Sequence, residues 1–385
     1  MSDEPAHPRY RGPDVLKGFI IFAIVMIHIV MNSGQTMGPG EPMLILQILY
    51  LGLMSFFIIS GYFYRPGTGF VHNIKKRMSQ ILVALILCSF IIPIILWIWL
   101  SILGYQLDLG DYIDAVRSGF WLNNMFITPE AYHYHPYCCG FVGYYFLWIM
   151  VWAFIVFYAV IEHVIDDIRK IMAVIIALLV VELLLCMLTD VNFPMGFKEV
   201  PMGAAFMFLG HVLSRYSLIE TVEKMELRTK RFWLPFLICL ALGVVLCLVV
   251  HPGLRFDAAR FGNIGPASVF TFFVEGGCMC VVYIYLAAFV ARIPVLSNGL
   301  EICGHHTMGI LLYHGSVATA IFALIAPLTY DAWFPTVDFT TRLAIAIATL
   351  LICLAICIYG PKLISAIRDR KKDGRGGNPA IQDRK

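Results

Sequence analysis

Asp14, Lys17 and His28 stand in the first apolar run of the chain, RGPDVLKGFIIFAIVMIH, residues 11–28. On an α-helix the step from Lys17 to His28 falls about 20° from a whole number of turns, so Asp14, Lys17, Ile21, Val25 and His28 share one face. At about 1.5 Å per residue the imidazole sits ~16 Å beyond the lysine, near the middle of a hydrocarbon core about 30 Å thick. An ionisable ring at that depth is costly and normally faces a bundle interior or a wet cavity. Its near-neutral titration suits it to remove a proton from a hydroxyl or to relay one. The bland alternative is a histidine bonded to a neighbouring helix. Lys17 taken alone reads as a snorkelling, topogenic lysine; its alignment with His28 gives it weight as a site residue, and Asp14 is placed to neutralise it.

A second imidazole, His314, closes the run GHHTMGILLYH, with Thr307 seven residues earlier on the same helical face. Both histidines reach mid-membrane depth, and the expectation is a pair around one cavity. His305 and His306 fall near the surface, where they contact a ligand or serve as satisfied interfacial residues. Glu275 and Glu182 are the two carboxylates well inside apolar runs, and Gly276 and Gly277 after Glu275 permit close backbone approach. Either glutamate reads also as a protonated interhelical hydrogen-bonding group. Arg65, Lys75, Lys76 and Arg77 form a basic cluster that is topogenic or suited to a polyphosphorylated ligand. The stretch HYHPYCC (His133, His135, Cys138, Cys139) has metal-ligand residue types, but adjacent cysteines lack the usual spacer, and no metal site is expected. No Gly-rich phosphate loop, HExxH pair, GxSxG elbow or zinc-finger spacing occurs, and nothing points to nucleic acid.

The elements that must position these residues are membrane helices. Of the 385 residues, 60% are hydrophobic and only 14% charged, against about a quarter in soluble globular domains. The apolar residues fall in blocks of about 20, which predicts an all-α, polytopic bundle of about ten transmembrane helices. The expected spans lie at about 14–34, 43–64, 80–103, 141–161, 170–189, 202–216, 232–251, 267–291, 303–326 and 342–366. With ten spans, 23 of the 28 Lys and Arg residues fall on one side, which predicts both termini in the cytoplasm. The outside segment near 104–140 is acidic and aromatic, and its DYIDAVRSGFW part reads as a short interfacial helix. Most cysteines fall within spans as small hydrophobes rather than in a disulfide framework. The first span reads as retained rather than as a signal peptide. One membrane domain, 1–366, is expected, followed by a basic, disordered tail, 367–385, that attracts anionic lipids.

Taken together, these residues resemble the integral-membrane acyltransferase-3 family, whose members include sugar O-acetylases of bacterial surface polysaccharides. The resemblance runs over nearly the whole chain. It is carried by Asp14, Leu16, Lys17, Gly18 and His28, then by FFIISGY (Phe56–Tyr62, with Ser60). The basic segment Lys75–Arg77, the YFL run Tyr145–Leu147 and Gly304, Thr307 and His314 complete it. Lys17 stands where the family usually has arginine, as in members that look like fucose acetylases. A further arginine and proline of the family pattern are replaced near Gln80 and Ala84. The resemblance implies transfer of an acyl group, acetyl first among them, from cytosolic acetyl-CoA to a hydroxyl of an extracytoplasmic or lipid-linked glycan, in a bacterial plasma membrane. It implies His28 as general base, with His314 and Glu275 orienting it or the sugar. Asp14, Lys17, Ser60, Lys75, Lys76 and Arg77 fall on the donor side. The competing reading from the residues is a proton-coupled small-molecule transporter, since mid-membrane His and Glu also build proton relays.

Overall fold

The structure, a computed structural model, describes residues 11–31, 52–120, 144–188, 194–250, 266–325 and 337–376. Among them every regular element is helical. The α-helices are α1 (Gly12–Met31), α2 (Ser55–Tyr62), α3 (Phe70–Ile102), α4 (Leu109–Phe120), α5 (Tyr144–Val164), α6 (Ile168–Leu188) and α7 (Val200–Arg215). They continue with α8 (Leu218–Lys224), α9 (Lys230–Val250), α10 (Val269–Val290), α11 (Pro294–His305), α12 (Thr307–Ile325) and α13 (Phe339–Gly376). Eight of the described helices are long and apolar enough to cross a membrane. A ninth arises if α7 and α8, bent by 53° at their junction, form one span. The protein is an all-α polytopic membrane bundle. Of the expected second span only a short 3-10 turn, Gly52–Met54, and α2 are described.

Three boundaries differ from the sequence expectation. The basic stretch before residue 80 is not a loop: α3 begins at Phe70, right after Gly69 with its positive φ of 75°. Its 33 residues span roughly 50 Å, well beyond a hydrocarbon core of about 30 Å. Lys75, Lys76 and Arg77 therefore ride on helical turns that extend past the apolar part. Polar residues there read as a loop, although Lys, Arg, Gln and Met are good helix formers. The expected ninth span, 303–326, starts instead as α12 at Thr307, and the residues ahead of it, expected mostly as a loop, form α11, which ends at His305. Finally, α13 runs on to Gly376, so the expected tail begins as helix. The short helix expected in the acidic segment is present as α4.

Among the spanning helices α1 is the most enclosed and α9 the least. α1 packs against α10, α11, α12 and α13. Two backbone contacts explain how closely. A Cβ on Gly18 would lie 1.8 Å from the Leu300 carbonyl oxygen, and one on Gly304 would lie 1.9 Å from that of Asp14. α1 and α11 thus touch backbone to backbone at two glycines, the arrangement small residues permit in membranes. α2 and α7 repeat the device: a Cβ on Gly61 would lie 1.8 Å from the Met207 carbonyl oxygen, and one on Gly210 1.9 Å from that of Ile58. Gly18, Gly61 and Gly304 all belong to the motifs singled out from the sequence. They set helix spacing, and through it the position of the side chains nearby.

Gly18→Ala should force α1 and α11 apart. Overpacking of this kind costs about 1–3 kcal/mol, read as a lower thermal unfolding midpoint of the purified protein. Gly299→Ala on α11, where a Cβ meets nothing within 4 Å, is the control and should hold or slightly raise the midpoint, since alanine favours the helix. A Gly18→Ala midpoint equal to wild type would contradict the backbone contact.

Candidate active site

His28, in the last turns of α1, and His314, in the middle of α12, meet across the helix interface: His28 Nδ1 lies 2.7 Å from His314 Nε2. The ring centroids are 5.0 Å apart with the planes inclined by 22°. That is the geometry of two nearly coplanar rings joined edge to edge by an in-line hydrogen bond, rather than a face-to-face stack. His314 is 3% exposed. His28 is half-buried, whereas Ile27 and Ile29 on either side are wholly enclosed.

The proton positions follow from the partners. His314 Nδ1 lies 3.0 Å from the carbonyl oxygens of both Ile310 and Leu311. A carbonyl only accepts, so Nδ1 carries the proton and, in a neutral ring, Nε2 carries the lone pair. Nε2 then accepts from His28 Nδ1–H. This leaves His28 Nε2 as the lone-pair nitrogen of the first ring. A carbonyl–imidazole–imidazole chain therefore orients His28 with a basic nitrogen directed away from His314, the base-plus-orienter arrangement of nucleophile activation.

At the N-terminal end of α1 the charged residues form a different cluster. Lys17 Nζ is 2.9 Å from Asp14 Oδ1. Arg11 holds Glu301 Oε2 at 2.6 and 2.9 Å. His305 Nε2 stands 4.0 Å from Asp14 Oδ2 and 3.8 Å from Glu301 Oε1. The expected Asp14–Lys17 pair is present, and the cluster ties α1 to α11. Asp14, Glu301 and His305 bring one ligand atom each within 4.8 Å of one another, but Lys17 and Arg11 already balance both carboxylates. Between this cluster and His28, Ile21 and Val25 are wholly buried, so the α1 face itself is packed rather than open. Thr307 Oγ1 donates to the carbonyls of Gly304 (2.7 Å) and Cys303 (3.3 Å), closing the C-terminal end of α11 at the break before α12.

Other expected residues stand elsewhere. Glu275 is fully buried on α10 and faces the Cys247 thiol of α9. The expected close approach beside it is real: a Cβ on Gly276 would meet Phe206 at 2.7 Å. Glu182 Oε2 accepts the Met202 N–H at 3.2 Å and so caps the first turn of α7. Ser60 Oγ donates to the Phe56 carbonyl within α2, 2.7 Å away. Lys75 and Lys76 are exposed on α3, and Arg77 lies over the Phe154 ring of α5 at 5.4 Å. The HYHPYCC stretch lies outside the described residues.

Two residues near the pair were not singled out. Arg342, 5% exposed at the start of α13, donates from Nη1 to the Val30 carbonyl at 2.7 Å, placing a buried cation on the C-terminal end of α1. The sequence signal was a single arginine inside an apolar run, which the charge census counted only as a loop residue. Tyr144, fully buried, donates to the Leu312 carbonyl at 2.8 Å, two residues before His314.

An intramembrane bundle with a hydrogen-bonded imidazole pair at the interface of its most enclosed helix is the kind of scaffold that carries proton-dependent chemistry. A family model described as an acyltransferase domain matches residues 10–358, and the chain belongs to this acyltransferase-3 family. Neither a search of curated proteins nor a search of solved structures returns a match.

Nitrogen NMR of the protein labelled at histidine tests the proton assignment. His314 should show a protonated Nδ1 and an unprotonated Nε2 at neutral pH, with a coupling to His28 Nδ1 across the hydrogen bond. The opposite tautomer at His314 would contradict it.

Proposed function

We propose that the protein is a membrane O-acyltransferase that moves an acetyl group from cytosolic acetyl-CoA to a hydroxyl of an extracytoplasmic or lipid-linked glycan. Its setting would be a bacterial plasma membrane, with both termini cytoplasmic. Membership of the acyltransferase family gives the reaction class. The observation that supports the assignment of roles is the 2.7 Å contact between His28 and His314.

In this reading His28 Nε2 takes the proton from the acceptor hydroxyl as its oxygen attacks the thioester carbonyl. The imidazolium that forms is stabilised through Nδ1–H by His314 Nε2, whose own ring is held by the Ile310 and Leu311 carbonyls. Collapse of the tetrahedral intermediate breaks the carbon–sulfur bond, and His28 returns the proton to the departing thiolate. The products are the acetyl ester and free CoA. General acid–base catalysis of this type contributes typically 10²–10⁴-fold. Arg342 and Tyr144 act as positioning residues, fixing the ends of the helix segments that carry the two rings. Lys17 and Asp14 serve here as a paired charge within α1, beside the Arg11–Glu301 pair that ties this end of the chain to α11; Lys75, Lys76 and Arg77, on the same side of the bundle by the charge census, receive the donor. Lipids enter as the surrounding solvent and as carrier of the acceptor.

His28→Ala should leave the solubilised protein monodisperse and reduce incorporation of radiolabelled acetyl into envelope glycan by about 10²-fold or more. His314→Ala should reduce it less, because the base remains but loses its orienter. Transfer by His28→Ala at the wild-type rate would remove the base assignment. Altered uptake or efflux with unchanged glycan acetylation would favour a carrier instead.

A further inference from the structure

Among the described residues, His211 is the one buried imidazole outside the pair and the N-terminal cluster. It sits in the last turns of α7, 7% exposed, and neither Nδ1 nor Nε2 has a hydrogen-bond partner among the described residues. A neutral imidazole brings one donor and one acceptor. Leaving both unmet in an enclosed place is costly, and such a group calls for a ligand or an ordered partner. The Tyr64 ring lies edge-on to His211, with centroids 6.0 Å apart and planes at 71°. Tyr64 is half-buried, and its hydroxyl donates to Glu162 Oε1 at 3.1 Å. Burial, with the Glu162 carboxylate behind it, pushes the Tyr64 phenol up, so it stays protonated and keeps that bond. The aromatic surface continues through Tyr158, 5.8 Å from Tyr64, to Phe154, stacked on Tyr158 at 13°. Arg77 covers Phe154. Arg77, Glu162 and His211 come from the end regions of α3, α5 and α7 and Tyr64 from the turn after α2, while Tyr158 and Phe154 lead inward along α5.

We infer that this cluster is a binding site for the nucleotide end of the donor, an adenosine phosphate. The inference rests on the acyl-CoA reading above and adds a location to it. A flat purine stacks on the accessible face of Tyr64, as bases do on aromatic side chains. Its exocyclic amine donates to Glu162, and a shift of the Tyr64 ring uncovers the sealed imidazole so that a purine ring nitrogen accepts from the His211 N–H. The phosphates reach Arg77, with Lys75 and Lys76 on the same helical turns. A phosphate alone fits less well, because the Glu162 carboxylate repels it and has no proton to donate to its oxygens. A purine with an amine edge matches the carboxylate, the imidazole and the tyrosine face together.

The test uses the full-length protein in nanodiscs and measures binding of CoA, adenosine 3′,5′-bisphosphate and inosine 3′,5′-bisphosphate by calorimetry. Kinetics with acetyl-CoA and with acetyl-pantetheine, which lacks the nucleotide, run in parallel. Wild type should bind the adenosine bisphosphate at least tenfold more tightly than the inosine compound. His211→Leu should raise KM for acetyl-CoA about tenfold and leave KM for acetyl-pantetheine unchanged. His211→Gln, which returns a donor and an acceptor, should recover part of the loss. Glu162→Ala, at an exposed position that tolerates change, should erase the adenosine preference and covers the case in which His211→Leu misfolds. Unchanged CoA affinity in both His211→Leu and Glu162→Ala overturns the site while leaving the acyl-CoA reading intact. Equal losses for acetyl-CoA and acetyl-pantetheine also overturn it, as the mark of a merely structural histidine. Failure of wild type to bind CoA at all overturns the site and the donor reading together.

Discussion

One hydrogen bond between two imidazoles, across the interface of α1 and α12, is the constraint on which the functional account depends. It survives inside an apolar bundle only because its far end is satisfied. The His314 N–H meets two helix carbonyls, and the lone pair opposite meets the His28 N–H. A neutral hydrogen bond of this kind adds only about 0.5–1.5 kcal/mol net, but leaving either buried ring unpaired costs more. The pair is therefore better understood as a device that sets the direction and protonation of His28 than as a source of stability. That is also why His28 keeps some accessible surface while the ring behind it is sealed.

The rest of the bundle serves that contact. α1 is held along its length by backbone packing at Gly18 and Gly304, at its N-terminal end by the Arg11–Glu301 pair, and at its C-terminal end by Arg342 on the Val30 carbonyl. α12 is separated from α11 by a break whose free carbonyls Thr307 takes up. Gly18, Gly304 and Thr307 thus place helices, and the two histidines meet across the interface those helices form. In the acyl-transfer reading, the packed lane of Ile21 and Val25 implies that donor and acceptor approach His28 from beside α1 rather than along the face it shares with Lys17.

Much of this was legible in the sequence, and for physical reasons. His28 and His314 stand out because ionisable rings at mid-membrane depth are expensive, and depth follows directly from helical rise. The Asp14–Lys17 pair follows from a three-residue spacing on one face. What escaped notice depended on tertiary context. Glu275 stood out by depth, but helical rise gives no azimuth, and its contact with Cys247 shows only in the fold. The helical start at Phe70 was hidden by polar residues that continue a helix as readily as they form a loop. Arg342 and His211 gave almost no local signal, since one arginine near a span end and one histidine in FLGHVLSR look like ordinary boundary residues. Only the fold shows the first gripping α1 and the second enclosed without a partner.

The pH dependence of kcat/KM for acetyl transfer tests the central claim most directly. A neutral imidazole acting as general base predicts a rate that climbs with pH through a single titration in the histidine range and then levels off. That ascending limb should vanish from the residual activity when His28 is replaced by alanine. A wild-type profile that stays flat across that range, or an ascending limb that persists without His28, would contradict the account.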